Sequence, residues 1–130
     1  MRRIAAVVFA VLLALPAAAQ EVWPSRPITL ISPYAPGGAS DFLARTLAEA
    51  LKARLGQQVL VQNVPGAGGT VGTLQAAKAR PDGYTLLLNH IGLSTMPALY
   101  KKLAFDPLAS FELIGPVSYT HLTLPTNREV

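Results

Sequence analysis

Apolar positions follow two different periods along this chain, and their alternation predicts an α/β layout. Ile28-Thr29-Leu30-Ile31-Ser32 is short, β-branched and apolar at successive positions, as expected of a strand buried on both faces. Leu43, Leu47, Leu51 and Leu55 then recur at i, i+4 with Ala44, Ala48 and Ala50 beside them, which predicts a helix ended by Gly56. Arg45, Glu49 and Lys52 fall on another face, at spacings that allow Arg45–Glu49 and Glu49–Lys52 pairs. Gln58 to Gln62 predicts a second strand. Thr70 to Ala79 predicts a second helix, with Val71, Leu74, Ala76 and Ala77 as its apolar side. Tyr84 to Leu88 reads as a third strand, after a Pro81-Asp82-Gly83 turn. Ser94 to Lys102 predicts a short helix with Pro97 in its first turn, and Glu112 to Ile114 opens a fourth strand. Helices between successive strands imply βαβ units with right-handed crossovers and a parallel sheet. Hairpins would need much shorter connections.

The pattern is different at both ends. Met1-Arg2-Arg3 is a short positive segment, and Ile4 to Leu15 is an apolar run too short to span a bilayer. Pro16 breaks that run and Ala17-Ala18-Ala19 supplies small side chains, so residues 1–19 read as an export signal cleaved after Ala19. No cysteine follows for a lipid anchor. Val117 to Thr126, including Tyr119 and His121, resembles an in-frame translation of sequencing-adapter DNA. The native part of this sequence is therefore expected to stop near Gly115 or Pro116, where a longer protein was cut, with 117–130 a non-native tail.

Composition narrows the chemistry. Half of the 130 residues are apolar (51%), but the leader inflates that figure, leaving material for one small domain. The chain has no cysteine, which removes disulfides, thiolate metal sites and a cysteine nucleophile together. Half of the formal charge of +4 lies at the two ends. Between Gln20 and Pro116 eight basic residues face six acidic ones, with no basic stripe, so a nucleic-acid footprint is not expected.

Two glycine-rich turns carry the candidate chemistry. Pro36-Gly37-Gly38-Ala39-Ser40-Asp41 joins the first strand to the first helix, and Pro65-Gly66-Ala67-Gly68-Gly69-Thr70 joins the second strand to the second helix. In a parallel sheet both lie at carboxyl ends of strands, where open α/β sheets bind ligands. Each opens a helix whose first N–H groups lack intrahelical partners, so main-chain donors could hold an anion with no Lys or Arg in either turn. Asn89-His90-Ile91-Gly92-Leu93-Ser94 is a third turn at the same edge, with side-chain donors. Plainer readings stand beside these. Glycine turns before helices can be tight connections only, and Asp41 can be a first-turn acid. His90 can be structural, and it has no second ligand at metal spacing. Asn63, Thr70 and Ser94 can be caps, and Tyr34 and Tyr84 packing aromatics.

Several motifs in fixed order narrow the reading. They are Trp23-Pro24-Ser25-Arg26-Pro27-Ile28, Pro36-Gly37-Gly38-x-x-Asp41, Asn63-x-Pro65-Gly66-Ala67-Gly68-Gly69, Pro81-Asp82-Gly83-Tyr84-Thr85-Leu86-Leu87, Pro97-Ala98-Leu99-Tyr100 and Phe105-Asp106-Pro107. Together they resemble the Bug family, the extracytoplasmic binding subunits of tripartite tricarboxylate transporters. The resemblance implies a periplasmic-binding-protein-like (type II) α/β fold with two lobes that close on a ligand. Residues 20–116 would be the first part of the N-terminal lobe. It further implies a small organic carboxylate as ligand, integral-membrane transporter subunits as partners, a periplasmic location, and neither cofactor nor metal. Carried over by position, the ligand contacts would come from Tyr34, Gly38, Ser40 and Asp41, from Gly68, Gly69 and Thr70, and from Asn89, His90 and Ser94. The third loop departs from the small-residue Gly-Thr pattern of many members, so ligand identity does not carry over.

Three other functions stand beside this reading. A nucleotide-binding Rossmann-like enzyme fragment is disfavoured because Gly66-x-Gly68-x-x-x-Gly72 lacks the tighter spacing and a ribose-binding acid at a strand end. A hydrolase built on Ser40, Asp41 and His90 lacks a Gly-x-Ser-x-Gly elbow. A binding protein that senses its ligand without transporting it has the same sequence features as a receptor.

Overall fold

In the computed structural model, residues 22–118 are described; the expected leader and most of the expected tail lie outside them. Three strands, β1 (Ile28–Ser32), β2 (Val59–Asn63) and β3 (Thr85–Leu87), form one sheet in the order β2-β1-β3. Both pairings are parallel, with Ile28 opposite Val59 and Thr29 opposite Thr85. The connections are α1 (Ala39–Leu55) and α2 (Thr70–Ala77), and α3 (Gly92–Leu99) follows β3. The expected α/β class is therefore observed.

β1 lies at the centre because it is the strand that can be buried on both faces. Ile28 and Leu30 pack with Ala44 and Ala48 of α1 and with Val59, while Ile31 on the opposite face is equally buried. The leucine stripe of α1 does not form the closest contact. Ala44 and Ala48 are the buried apolar positions, and Leu47, Leu51 and Leu55 pack around the edge of that contact. Small side chains let the helix axis approach the sheet, and the longer leucines then cover its margin. Gly56 adopts φ 68° and donates to the Lys52 carbonyl, ending α1 where the sequence places the stop.

Two expectations need correction. Glu112–Ile114 forms no strand: Leu113 and Ile114 are exposed, and β3, whose outer edge such a strand would need, is only three residues long. α3 begins at Gly92 rather than Ser94, so Pro97 is its sixth residue and not part of its first turn. The early start follows from the turn at His90, whose ring Nδ1 accepts the Gly92 N–H at 2.9 Å and whose carbonyl accepts from Leu93 at 3.0 Å. Helix α3 ends two residues after Pro97, which limits the disruption a proline causes inside a helix.

Asp41 ties three elements together. One carboxylate oxygen accepts from the Gly37 N–H (2.9 Å) and Arg45 Nε (3.0 Å), and the other from Asn63 Nδ2 (3.0 Å). Asn63 Nδ2 also donates to the Tyr34 carbonyl at 3.1 Å, so the end of β2 is bound to the loop after β1. Arg45 is thus drawn to Asp41 instead of the expected Glu49, because a buried carboxylate gains more from a cation than an exposed one does. The Glu49–Lys52 pair forms loosely, at 3.9 Å.

Elsewhere the sequence motifs act as structural joints. Arg26 lies 3.8 Å over the Tyr84 ring and pairs with Asp82 at 3.0 Å, and Tyr84 OH accepts the Ser25 N–H. The entry segment is thereby fixed to the start of β3. Gly72 sits where α2 crosses the loops: a Cβ there would lie 2.6 Å from the Val64 carbonyl oxygen and 2.9 Å from Pro33 Cα. The third glycine of the nucleotide-like spacing therefore serves close packing of backbone on backbone.

Two predictions follow from these contacts. Both close neighbours of Gly72 are backbone atoms that cannot swing away, so Gly72→Ala should destabilise the fold by about 1–3 kcal/mol in chemical denaturation. A variant as stable as the parent would refute the contact. The Arg45 guanidinium and the Gly37 N–H hold the Asp41 carboxyl at about 2, below its ordinary 3.8. A carboxyl made more acidic by folding stabilises the native state fully above the ordinary value, and that contribution is lost as pH falls through about 2. Asp41→Asn should lower stability at neutral pH and flatten the acid limb of the stability–pH curve; an unchanged limb would contradict the assignment.

Candidate functional site

Parallel pairing places the carboxyl ends of β1, β2 and β3 on one edge, so the loops starting at Pro33, Val64 and Leu88 gather there. A chain of side-chain hydrogen bonds joins them. Tyr34 OH donates to Asn89 Oδ1 at 2.7 Å, Asn89 Nδ2 donates to Thr73 Oγ1 at 3.1 Å, and Thr73 Oγ1 donates to the Gly69 carbonyl at 2.8 Å. Partial burial pushes the Tyr34 phenol above its usual pKa, so it remains a neutral donor. The His90 ring stacks on Tyr34 with centroids 4.4 Å apart and planes 14° from parallel. Thr73 was not picked out from the sequence. Its buried hydroxyl is the link between the second and third loops, and only its place one turn into α2 hinted at this.

The three helix starts differ in what they leave open. In the first turn of α1, the N–H groups of Ala39, Ser40 and Asp41 have no partner among the described residues. Gly37 and Gly38 precede them without a side chain to block access; Gly37 takes φ 85° and Gly38 is extended. At α2 the donors turn inward. Gly69 donates to the Gly66 carbonyl and Thr70 to that of Ala67, within a 3-10 turn (Ala67–Gly69). At α3 the Gly92, Leu93 and Ser94 N–H groups all bond back to residues 90 and 91.

The predicted side chains sort in the same way. Asp41 is 5% exposed and fully engaged by its neighbours, so it shapes the first loop from behind. The Thr70 hydroxyl donates to the Ala67 carbonyl (3.0 Å) and that of Ser94 to the Ile91 carbonyl (2.8 Å). Neither is the expected N-cap, because a cap must accept rather than donate; Asn63, too, is a brace and not a cap. Gly68 lies against the Tyr100 hydroxyl, which donates to the Ala67 carbonyl at 2.8 Å. Gly38 and His90 are exposed at the rim, with Tyr34, Ser40 and Asn89 half-buried beside them.

Two concavities lie to one side of this rim. One of about 510 Å³ is lined by Pro97, Tyr100, Lys101, Leu103, Phe105, Asp106 and Pro107, and one of about 230 Å³, which includes Lys102, meets the rim only at Thr70. Each carries a lysine, and neither is lined by residues of the first or third loop. Among the described residues no three His, Cys, Asp or Glu side chains come together to hold a metal, and no helix is long and apolar enough to cross a membrane.

Comparison with known proteins gives the same direction. A family described as "Tripartite tricarboxylate transporter family receptor" matches residues 43–127. The UPF0065 protein of the ttuE–ttuC′ intergenic region of Agrobacterium vitis is 44% identical over 99% of this chain and 37% of its own length. BugT of Bordetella pertussis is 44% identical over 81% of this chain and 34% of its own length. The chain thus spans little more than a third of the curated relatives it matches. Among solved structures, the periplasmic binding protein BugD superposes with a TM-score of 0.67 at 51% identity, covering 69% of this chain and 30% of BugD. MatC of Rhodopseudomonas palustris with bound malate gives 0.62 at 38% identity, and another R. palustris protein with adipate gives 0.62 at 35%, each covering 65% of this chain and 29% of its own. These are binding proteins rather than enzymes, and the parallel three-stranded α/β fold matches part of their structures. This chain belongs to the tripartite tricarboxylate transporter receptor family, the Bug-type periplasmic binding proteins, of which it covers a short N-terminal part.

Proposed function

We propose that residues 20–116 form the first-lobe half of a cleft that captures a small organic carboxylate in the periplasm and delivers it to the membrane subunits of a tripartite transporter. The observation that carries this reading is the open first turn of α1. Unpartnered N–H groups of Ala39, Ser40 and Asp41 stand behind two glycines, next to Tyr34. Donors of this kind suit a carboxylate, since helix dipole and N–H direction act together and need no formal cation. Ligand contacts are assigned to Gly38, Ser40 and Tyr34 in the first loop and to Asn89 and His90 in the third. Gly68, Gly69, Thr70 and Ser94 border the same edge, and Asp41 holds the first loop in shape. Relatives solved with malate and with adipate support an acid as the ligand class. The leader, cut after Ala19, would deliver the protein to that compartment. Residues 117–130 are left out of the site.

A full-length version should gain thermal stability from one or more acids in a panel of malate, succinate, adipate and citrate. At a hundredfold excess over Kd the gain is about 2.7 kcal/mol, or several degrees in Tm. A flat response across the panel from well-folded protein would sink the proposal. Ala39→Pro provides a sharper test. Proline fits the first helical position, and the extended Gly38 before it tolerates a following proline, yet one main-chain donor is removed. Folding stability should hold while affinity falls about tenfold, as for one charge-assisted hydrogen bond lost. Unchanged affinity would place the anion elsewhere.

A further inference from the structure

We infer that His90 is the neutral side-chain donor of the rim, offering Nε2–H to an acceptor oxygen of the ligand and unable to receive an ammonium there. This rests on the receptor reading above and adds to it which atom of the third loop meets the ligand, and what chemistry it selects. A neutral imidazole carries one proton on two nitrogens, and a partner on one nitrogen fixes the state of the other. Here Nδ1 accepts the Gly92 N–H at 2.9 Å, so it carries no proton, and the proton is on Nε2. Nε2 has no partner among the described residues, and His90 is exposed at the edge where the three loops meet.

The ring is also held in orientation. It stacks on Tyr34, whose hydroxyl is tied to Asn89, and the His90 N–H donates to Asn89 Oδ1 at 2.9 Å. One asparagine oxygen thus receives both the phenol under the ring and the backbone that carries it. A Cβ on Gly92 would lie 2.9 Å from His90 Cε1, so only glycine allows the ring to settle against the start of α3. The arrangement places a donor, without formal charge, against Tyr34 of the first loop, on the sheet edge from which α1 starts. A carboxylate, carbonyl or hydroxyl oxygen satisfies it, whereas a protonated amine would meet N–H against N–H.

Imidazole ¹⁵N spectra of the ligand-free, full-length protein above pH 7.5 test the tautomer without any ligand. Nδ1 should show the unprotonated shift and Nε2 the protonated one; a proton on Nδ1 overturns the inference. Two variants then separate turn from ligand contact, using the best binder among malate, succinate, adipate and citrate. In His90→Asn the amide oxygen can take the place of Nδ1 and keep the Gly92 bond, but nothing reaches the ligand. Its Tm without ligand should stay close to the parent while affinity falls about tenfold. In His90→Gln the amide nitrogen reaches the Nε2 position, and more of the affinity should be retained. His90→Asn binding as tightly as the parent overturns the inference. If the unaltered protein binds none of the four acids, the receptor reading itself fails, an outcome visible before any variant is made.

Discussion

Parallel pairing of β1 with a neighbour on each side is the constraint on which the rest of this structure depends. Parallel strands cannot be joined by a tight turn, so each must be followed by a crossover, and each crossover starts from the same edge. The central strand must in turn be apolar toward both faces, a condition that Ile28, Leu30 and Ile31 meet. Even so, the Ser32 hydroxyl at the end of β1 is buried without a partner. The loops are held together at one edge by the register of the sheet, and no separate binding element is needed to assemble them.

Within that edge, most polar groups are used to hold the loops in place. Asp41, Arg45 and Asn63 join the first loop to the end of β2, and Tyr34, Asn89 and Thr73 run from the first loop through the third to the second. A loop cluster satisfied internally in this way is stiff, and stiffness is what a binding surface needs if ordering is not to oppose association. It also limits what can face a ligand. The starts of α2 and α3 close on themselves, while that of α1 stays open. The rim therefore has one open set of main-chain donors, together with the side chains of the third loop.

This asymmetry divides the edge into a backbone frame and a side-chain surface. Sheet, glycine turns and crossing point at Gly72 set backbone positions and tolerate little change. The third loop contributes side chains instead, and in this chain it contributes Asn89 and His90.

Local signals in the sequence determined the order and kind of the elements. The i, i+4 leucines with Gly56 marked α1, the short β-branched run marked β1 as doubly buried, and the glycine turns fell where strands hand over to helices. Ordered motifs were enough to indicate the family. Tertiary structure decided what local signals cannot carry. It showed that Arg45 turns to Asp41 and not to Glu49, and that Thr73 links two loops. It also showed that His90 starts α3 early, that Glu112–Ile114 is no strand, and that two of three helix starts are closed. The physical reason is the same in each case. Periodicity and turn chemistry are set by neighbours along the chain, whereas the partner of a buried charge or a free N–H is set by residues brought near through folding.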